Sequence, residues 1–422
     1  MPDILALLQN IAPLLEPTTF RQMSQVIFAM LVVTGRITML GLSRWTEQGG
    51  SYRTLQRFYH PELPWKALQW GFFRGRLWQP KDEYLIAGDE VVVSKAGQET
   101  HGLDRFFSGL QQRVIPGLSF FTLSLVNVQE AHSYPLEITQ TVKSAAEKAA
   151  SKANAAAKKA QKTEEKRQPG RPKGSQNKAK DEKVALHPEL VRIQNALKSL
   201  LKTIGNLLSL KYVVLDGHFG NSPSAFMVRE VHLDLISKMR SDVARAPAFE
   251  GAYPGVGRPA QYGKKLEVRN LDPKYLQATS TKDHLRTEIY QGTFYNKEFA
   301  FALNVVIILK ANLLTKTQAH VVLFSTDLTL DYEKIIQFYS LRFQIEFNFR
   351  DAKQSWGLED FMNLKETAVT NAANLAFFMV NFSHALLQPP RKKPDAILLA
   401  NIFQQLARLG AIHPVLQPST DP

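Results

Sequence analysis

The sequence predicts an α/β protein, on three observations. Apolar runs of β type alternate with helical stretches through the middle of the chain, two of those runs lead into an aspartate, and a long helix with an unusual polar row follows the last of them. The β-type runs fall at 84–87 with 91–93, and at 119–128, 136–142, 212–215, 301–309 and 321–324; helices are expected at 191–210 and about 331–355. Such alternation is what helices laid against a sheet produce. Residues 1 to about 80 read as helical, with apolar residues at helical spacing over 20–42 and a turn at Gly49-Gly50. A short helix follows, with Ser51 as its N-cap and with Arg53 and Arg57 along it. A helix, a turn and a basic second helix suit a DNA contact of helix-turn-helix kind, although many helical subdomains share the pattern.

Composition narrows the class. The 422 residues are enough for two or three domains at ~150 residues each. With 44% hydrophobic and 21% charged residues the chain is of ordinary globular type. It has no cysteine, which excludes a disulfide scaffold, a thiolate zinc site and a cysteine nucleophile together. The longest greasy run, 26–33, is far short of the ~18 residues of a membrane span, and no secretory signal is visible. A cytoplasmic protein without membrane association is expected.

The formal charge is +14, which points to a polyanionic partner, most simply nucleic acid. More than half of it lies in one low-complexity segment, 143–183, with eleven Lys and two Arg against five acids. The Ala/Lys half of that segment has helix propensity but no large apolar residue to anchor a face, and the half around Pro169-Gly170-Arg171-Pro172-Lys173 reads as extended or disordered. Gly170-Arg171-Pro172 is similar to the core of an AT-hook, an arm for the minor groove; a phosphate-binding linker with Arg171 and Lys173 on it suits the charge best.

Chemistry is expected where two aspartates close apolar runs, at Leu85-Ile86-Ala87-Gly88-Asp89 and Tyr212-Val213-Val214-Leu215-Asp216. One strand-end aspartate is usually a turn cap; two suggest a site at the edge of a sheet. Glu90 should face away from Asp89, because neighbours on a strand point to opposite sides. The informative helix reads Tyr339-Ser-Leu-Arg342-Phe-Gln-Ile-Glu346-Phe-Asn-Phe-Arg350-Asp-Ala-Lys353. At about 100° per residue, Tyr339, Arg342, Glu346 and Lys353 fall within an arc of about 60°. Phe338, Leu341, Ile345, Phe349 and Ala352 form the adjoining apolar stripe, so the polar row borders the core. An i,i+4 Arg342–Glu346 pair, worth ~0.3–0.5 kcal/mol, accounts for two of the four and leaves the others unexplained.

The spacing Tyr-x2-Arg-x3-Glu-x6-Lys resembles the signature of bacterial insertion-sequence transposases of cut-and-paste type, which carry an Asp-Asp-Glu triad on a ribonuclease-H-like fold. Asp216-Gly217-His218-Phe219 is similar to their second block, and Asp89 followed by Lys95-Ala96-Gly97 to their first. The resemblance covers roughly 80–365. It implies a ribonuclease-H-like catalytic core over 81–365 that contains the basic linker 143–183 and a β-rich insertion over 241–300. A helical DNA-binding region over 1–80 and a helical C-terminal region over 366–422 would flank it. It further implies that Asp89, Asp216 and Glu346 are the catalytic metal ligands, holding two Mg2+ ions with Mn2+ able to substitute. Tyr339, Arg342, Arg350 and Lys353 would contact DNA. The implied activity is cleavage at transposon ends and transfer of the 3′-OH into target DNA. The implied partners are terminal inverted repeats, target DNA and a second copy of the chain, with the protein on the nucleoid. For dimerisation 371–387 offers an apolar helical surface, although a core helix would look the same.

The sequence departs from that pattern in three places, one of them the basic segment 143–183, which lengthens the interval between the first two acids as a surface loop can. Glu90-Val91 stands where relatives often have Thr or Ser two residues after the first Asp, and the five Trp lie outside the insertion, where some relatives hold a flipped base. Tyr290, Phe294 or Tyr295 would have to serve instead. Rival readings are another ribonuclease-H-like metal-dependent nuclease, which would not need the Tyr-Arg-Lys row, and a catalytically silent DNA-binding derivative of a transposase. Zinc hydrolases and ATP-binding loops find no motif.

Overall fold

The computed structural model describes residues 2–45, 51–109, 111–150, 186–240 and 271–387, with short pieces at 153, 246–247 and 263–268. The Gly49-Gly50 turn, nearly all of 151–185 including Arg171 and Lys173, and residues 388–422 lie outside the described residues. The chain divides into two compact units, one of residues 1–140, 196–210 and 341–422 and the other of 141–195 and 211–340.

The first unit opens with five helices: α1 (Pro2–Leu8), α2 (Pro17–Val32), α3 (Met39–Trp45), α4 (Tyr52–Tyr59) and α5 (Trp65–Phe72). The helical run expected over 20–42 is broken where Gly35 takes φ +107°, a conformation open to glycine, which separates α2 from α3. Ser51 caps α4 as expected, accepting the Thr54 N–H. Leu55, Phe58 and Tyr59 point inward, so Arg53 and Arg57 are left on the outer face.

The same unit carries strands β1 (Tyr84–Ser94), β2 (Asp104–Ser108), β3 (Arg113–Asn127) and β4 (His132–Gln140). The long β3 pairs antiparallel with all three others, and its ladder with β1 runs unbroken from Tyr84↔Asn127 to Ser94↔Gly117. Asp89 therefore lies in mid-strand opposite Thr122, not at a strand end as its position after an apolar run suggested. The ladder carries through the polar pair because Val91 and Val93 beyond it are buried as firmly as Leu85 and Ile86 before it.

Helices α9 (Gln344–Gln354) and α10 (Glu366–Leu387) complete the unit; α6 (Pro188–Ile204) starts in the second unit and continues into the first, and α7 (Ser222–Arg229) and nearly all of α8 (Tyr332–Leu341) lie in the second. The one long helix expected over 331–355 is thus two. At the joint, Ile345 and Glu346 donate to the carbonyls of Arg342 and Phe343 three residues back, a tighter winding than an α-helix. No glycine or proline marks this joint, so nothing in the local residues signals a break.

α10 is a core helix. Residues from Ala368 to Phe382 are almost all buried, and Phe378 and Phe382 pack on Phe72 at ring separations of 5.0 and 5.7 Å. The part of the expected dimer surface 371–387 that spans 371–382 is therefore taken up within its own unit, and only the last turn, ending at the exposed Leu387, reaches the surface. Asn381 donates to Gln69 Oε1 at 3.1 Å and to the Pro135 carbonyl at 2.7 Å, tying this helix to α5 and β4.

In the second unit β5 (Tyr212–Leu215) runs parallel to β6 (Asp234–Met239), with α7 in the crossover between them. The order then continues antiparallel from β6 to β10 (Gln318–Ser325), β9 (Leu303–Asn312), β8 (Leu285–Phe294) and β7 (Leu276–Lys282). The strands that the apolar runs did not announce are β2, β6, β7 and β8. β7, Leu-Gln-Ala-Thr-Ser-Thr-Lys, is solvent-facing along nearly its whole length, so it has no buried face to write an alternation. Asp327 is the unit's best-paired acid, accepting from Lys211 Nζ at 2.6 Å, Tyr212 OH at 2.8 Å and Thr329 Oγ1 at 2.7 Å. Helices set against sheet strands of both senses form a mixed α/β architecture consistent with a ribonuclease-H-like nuclease fold.

Candidate active site

Within the first unit, β1 and α9 bring two of the three expected acids to one cation. Arg342 Nη1 donates to Asp89 Oδ2 at 2.7 Å, and Arg342 Nη2 lies 3.3 Å from Glu346 Oε1. The guanidinium side chain is 14% exposed and Asp89 22%, against 42% for Glu346, so the short contact is the one better shielded from water. Asp89 Oδ1 also accepts the Glu90 main-chain N–H at 2.8 Å, which sets the rotation of the carboxylate. Glu90 turns the other way, as strand alternation requires, and accepts from Ser119 Oγ.

The elements that hold this pair are themselves tied down. Asn348, buried on α9, donates to Ser133 Oγ of β4 at 2.9 Å and lies 3.4 Å from Ser124 Oγ of β3. Lys353 Nζ donates to the Val92 carbonyl at 2.7 Å and sits 3.3 Å from Glu359 Oε1, which pins the last turn of α9 to β1. Lys95 closes the same side: its Nζ donates to the Glu359 and Phe361 carbonyls and lies 3.7 Å from the Phe361 ring centroid. Burial pushes the Lys95 ammonium down to about 8, against the opposing pull of Asp360 and Glu359. The connecting loop turns at Gly357, with φ +73°, a conformation strained for any side chain.

On its outer edge α9 shows Phe343 and Phe347, 50% and 38% exposed, with ring centroids 5.6 Å apart. The Arg350 guanidinium lies 4.9 Å from the Phe347 centroid and 3.0 Å from Asp351 Oδ1. Sequence reasoning assigned nothing to Asn348, Phe343 or Phe347. A polar residue beside the apolar stripe signalled Asn348; aromatic residues on the solvent side of the polar row signalled the other two.

Asp216 lies in the second unit, directly after β5. Its Oδ1 accepts the His218 N–H at 3.0 Å, and its carbonyl accepts Ser237 Oγ at 2.7 Å. It therefore caps the tight turn Gly217–Phe219, where Gly220 is required because a Cβ would run into the Lys238 carbonyl. His218 Nε2 is 3.8 Å from Glu189 Oε1. Tyr339 stands half-buried on α8.

Two hard carboxylates from separate elements that already share a cation are, in donor chemistry, suited to a divalent metal. Among the described residues no group of three His, Cys, Asp or Glu collects into a metal cage.

An acid pair bridged by one arginine on a mixed α/β frame is compatible with a nuclease of the ribonuclease-H-like kind. The family model of the DDE superfamily endonuclease matches residues 10–293, about two thirds of the chain, and the protein belongs to that family. The matched stretch includes Asp89 and Asp216 and ends before Arg342 and Glu346. No curated protein matches the chain. Family membership implies nuclease activity with DNA as the substrate class. No helix among the described residues is long and apolar enough to cross a membrane.

Proposed function

We propose that the protein is a transposase that cuts DNA at transposon ends and transfers the freed 3′-OH into target DNA, with Asp89, Asp216 and Glu346 as its catalytic acids. The observation that carries this reading is the sharing of Arg342 by Asp89 and Glu346, residues 257 positions apart on different elements. A structural ion pair on a helix needs only the i,i+4 contact; it does not need a mid-strand aspartate held in a polar pocket.

The three acids would hold Mg2+, with Mn2+ as a substitute. The bound metal supplies activation of the attacking oxygen and charge stabilisation at the leaving oxygen. The chain's own residues do the rest. Arg342 and Arg350 present guanidinium groups beside the acid pair, where a scissile strand's phosphates would lie, and Tyr339 offers a phenol to the same strand. Lys353 holds α9 against β1, so that Glu346 keeps its distance from Asp89. Arg53 and Arg57 on the exposed face of α4, in the helical region 1–80, and Arg171 and Lys173 in the basic segment 143–183 extend the contact along the duplex. Residues 81–365 act as the catalytic core, with 241–300 as its insertion and 366–422 as a helical C-terminal region. Two copies would act together to bring two transposon ends to one target.

The test is an assay with Mg2+ on duplexes that end in the inverted repeats flanking the gene. Joined products with target DNA support transposition. Cutting without joining reduces the reading to a nuclease, and a mobility shift without cutting reduces it to a silent binder.

A further inference from the structure

We infer that Arg342 is the built-in counter-ion of the acid pair and competes with a divalent metal for the same two oxygens, Asp89 Oδ2 and Glu346 Oε1. The inference rests on the reading of Asp89 and Glu346 as metal ligands and adds a role for Arg342 that a phosphate clamp would not have.

The geometry supports it in three ways. The two nitrogens at the tip of the guanidinium point to two different carboxylates, at 2.7 and 3.3 Å, so the group bridges them as a metal would. Two carboxylates brought close without a cation repel each other, and in a partly shielded pocket that repulsion is large. Arg342 removes it. Arg342 also sits at the joint between α8 and α9, whose hydrogen bonds are of the tighter three-residue kind. Such a position leaves the side chain a different set of directions from those of a residue locked in mid-helix.

Competition has a definite consequence. A guanidinium and a dication cannot occupy the space between the same oxygens, so the apparent metal affinity is reduced by the fraction of molecules in which Arg342 is engaged. The acids are thereby kept apart from solvent cations and remain ordered. Arg342 is a positioning residue in this sense, acting on the metal site through Asp89 and Glu346.

The test is Mn2+ titration of the full chain by electron paramagnetic resonance or calorimetry, without DNA, so that phosphate contacts play no part. Arg342→Gln should bind Mn2+ about tenfold more tightly than the wild type. Arg342→Lys, which can pair with only one acid at a time, should fall between the two; it also serves as the informative variant if Arg342→Gln fails to fold by circular dichroism. Unchanged or weaker Mn2+ binding in a folded Arg342 variant overturns the inference and leaves the acids as ligands. A different outcome removes the underlying reading instead: wild-type Mn2+ affinity that is unaffected by both Asp89→Asn and Glu346→Gln.

Discussion

Trp65 donates its indole N–H to Asn371 Oδ1 at 2.7 Å, joining α5 to α10 across 306 positions of sequence. Asn371 in turn donates to the carbonyls of Tyr59 and Pro61, at 2.9 and 2.8 Å, so a single buried amide satisfies three groups of the N-terminal helices. Replacing it by Leu leaves an indole N–H and two carbonyls without that partner in an apolar surrounding. The loss should be about 2–4 kcal/mol, read as a lowered denaturation midpoint with unchanged slope. A change below about 0.5 kcal/mol would show that water replaces the amide.

The acids should separate catalysis from binding. Asp89→Asn, Asp216→Asn and Glu346→Gln are each expected to reduce DNA cleavage by on the order of 10²–10³-fold or more, because each removes an anionic ligand of the proposed metal. DNA affinity, measured by fluorescence anisotropy, should stay within a few fold. A variant that still cuts at the wild-type rate takes its residue out of the triad.

Lys353 predicts a stability effect as well as an activity effect. Its ammonium is the partner of the Val92 carbonyl and of Glu359, at the point where α9 meets β1. Lys353→Met keeps the stem and removes the donor, and should lower stability by about 1–3 kcal/mol in urea unfolding. If only DNA affinity fell and the unfolding curve did not move, Lys353 would be a phosphate contact and nothing more.

Acid sensitivity should trace to a histidine pair. His132 of β4 and His384 of α10 meet at a ring separation of 3.8 Å. Burial, with the neighbouring His132 adding to it, pushes His384 down to about 3. Burial also lowers His132, against the pull of Glu130 and Asp351. Above the unfolded value of about 6.5 the rings are neutral in both states, and their contribution is fully in place. As pH falls from about 6.5 toward 3, the unfolded chain takes up protons that the folded chain refuses, so stability declines through that window. His384→Leu should flatten the melting temperature between pH 6 and 4 relative to the wild type. Parallel profiles for the two proteins would contradict this.

Much of this arrangement was legible in the residues, and the parts that were not have a common cause. The apolar stripe Ile345, Phe349 and Ala352 appears as the buried face of α9, and Tyr212–Leu215 as a buried strand, because periodicity records which side of an element is covered. The cap at Ser51 was readable because capping is decided within a few residues. By contrast, β7 and β8 were hidden in a stretch without alternation, since β7 is solvent-facing and β8 half-buried along most of its length, and neither has a fully covered face to impose an apolar period. The joint at Arg342-Phe343 carried no breaker residue. Phe294, one of three aromatics considered for holding an extruded base, is buried at 2% exposure against Tyr275, a fact about packing that its neighbours in sequence do not show.

Residue type and local spacing suffice for the order of the acids, the polar row beside a core-facing stripe, and the lack of any thiol chemistry. Which groups become partners is set by the packing of distant elements. Arg342 could satisfy Glu346 one helical turn away, yet its shorter bond goes to Asp89, 253 residues distant. Lys353, which by its row belonged with the phosphate contacts, is engaged by the Val92 carbonyl. Local periodicity says which way a side chain points; only the packing of distant elements brings a partner to within hydrogen-bonding reach of it, and shields the pair from water enough for it to count.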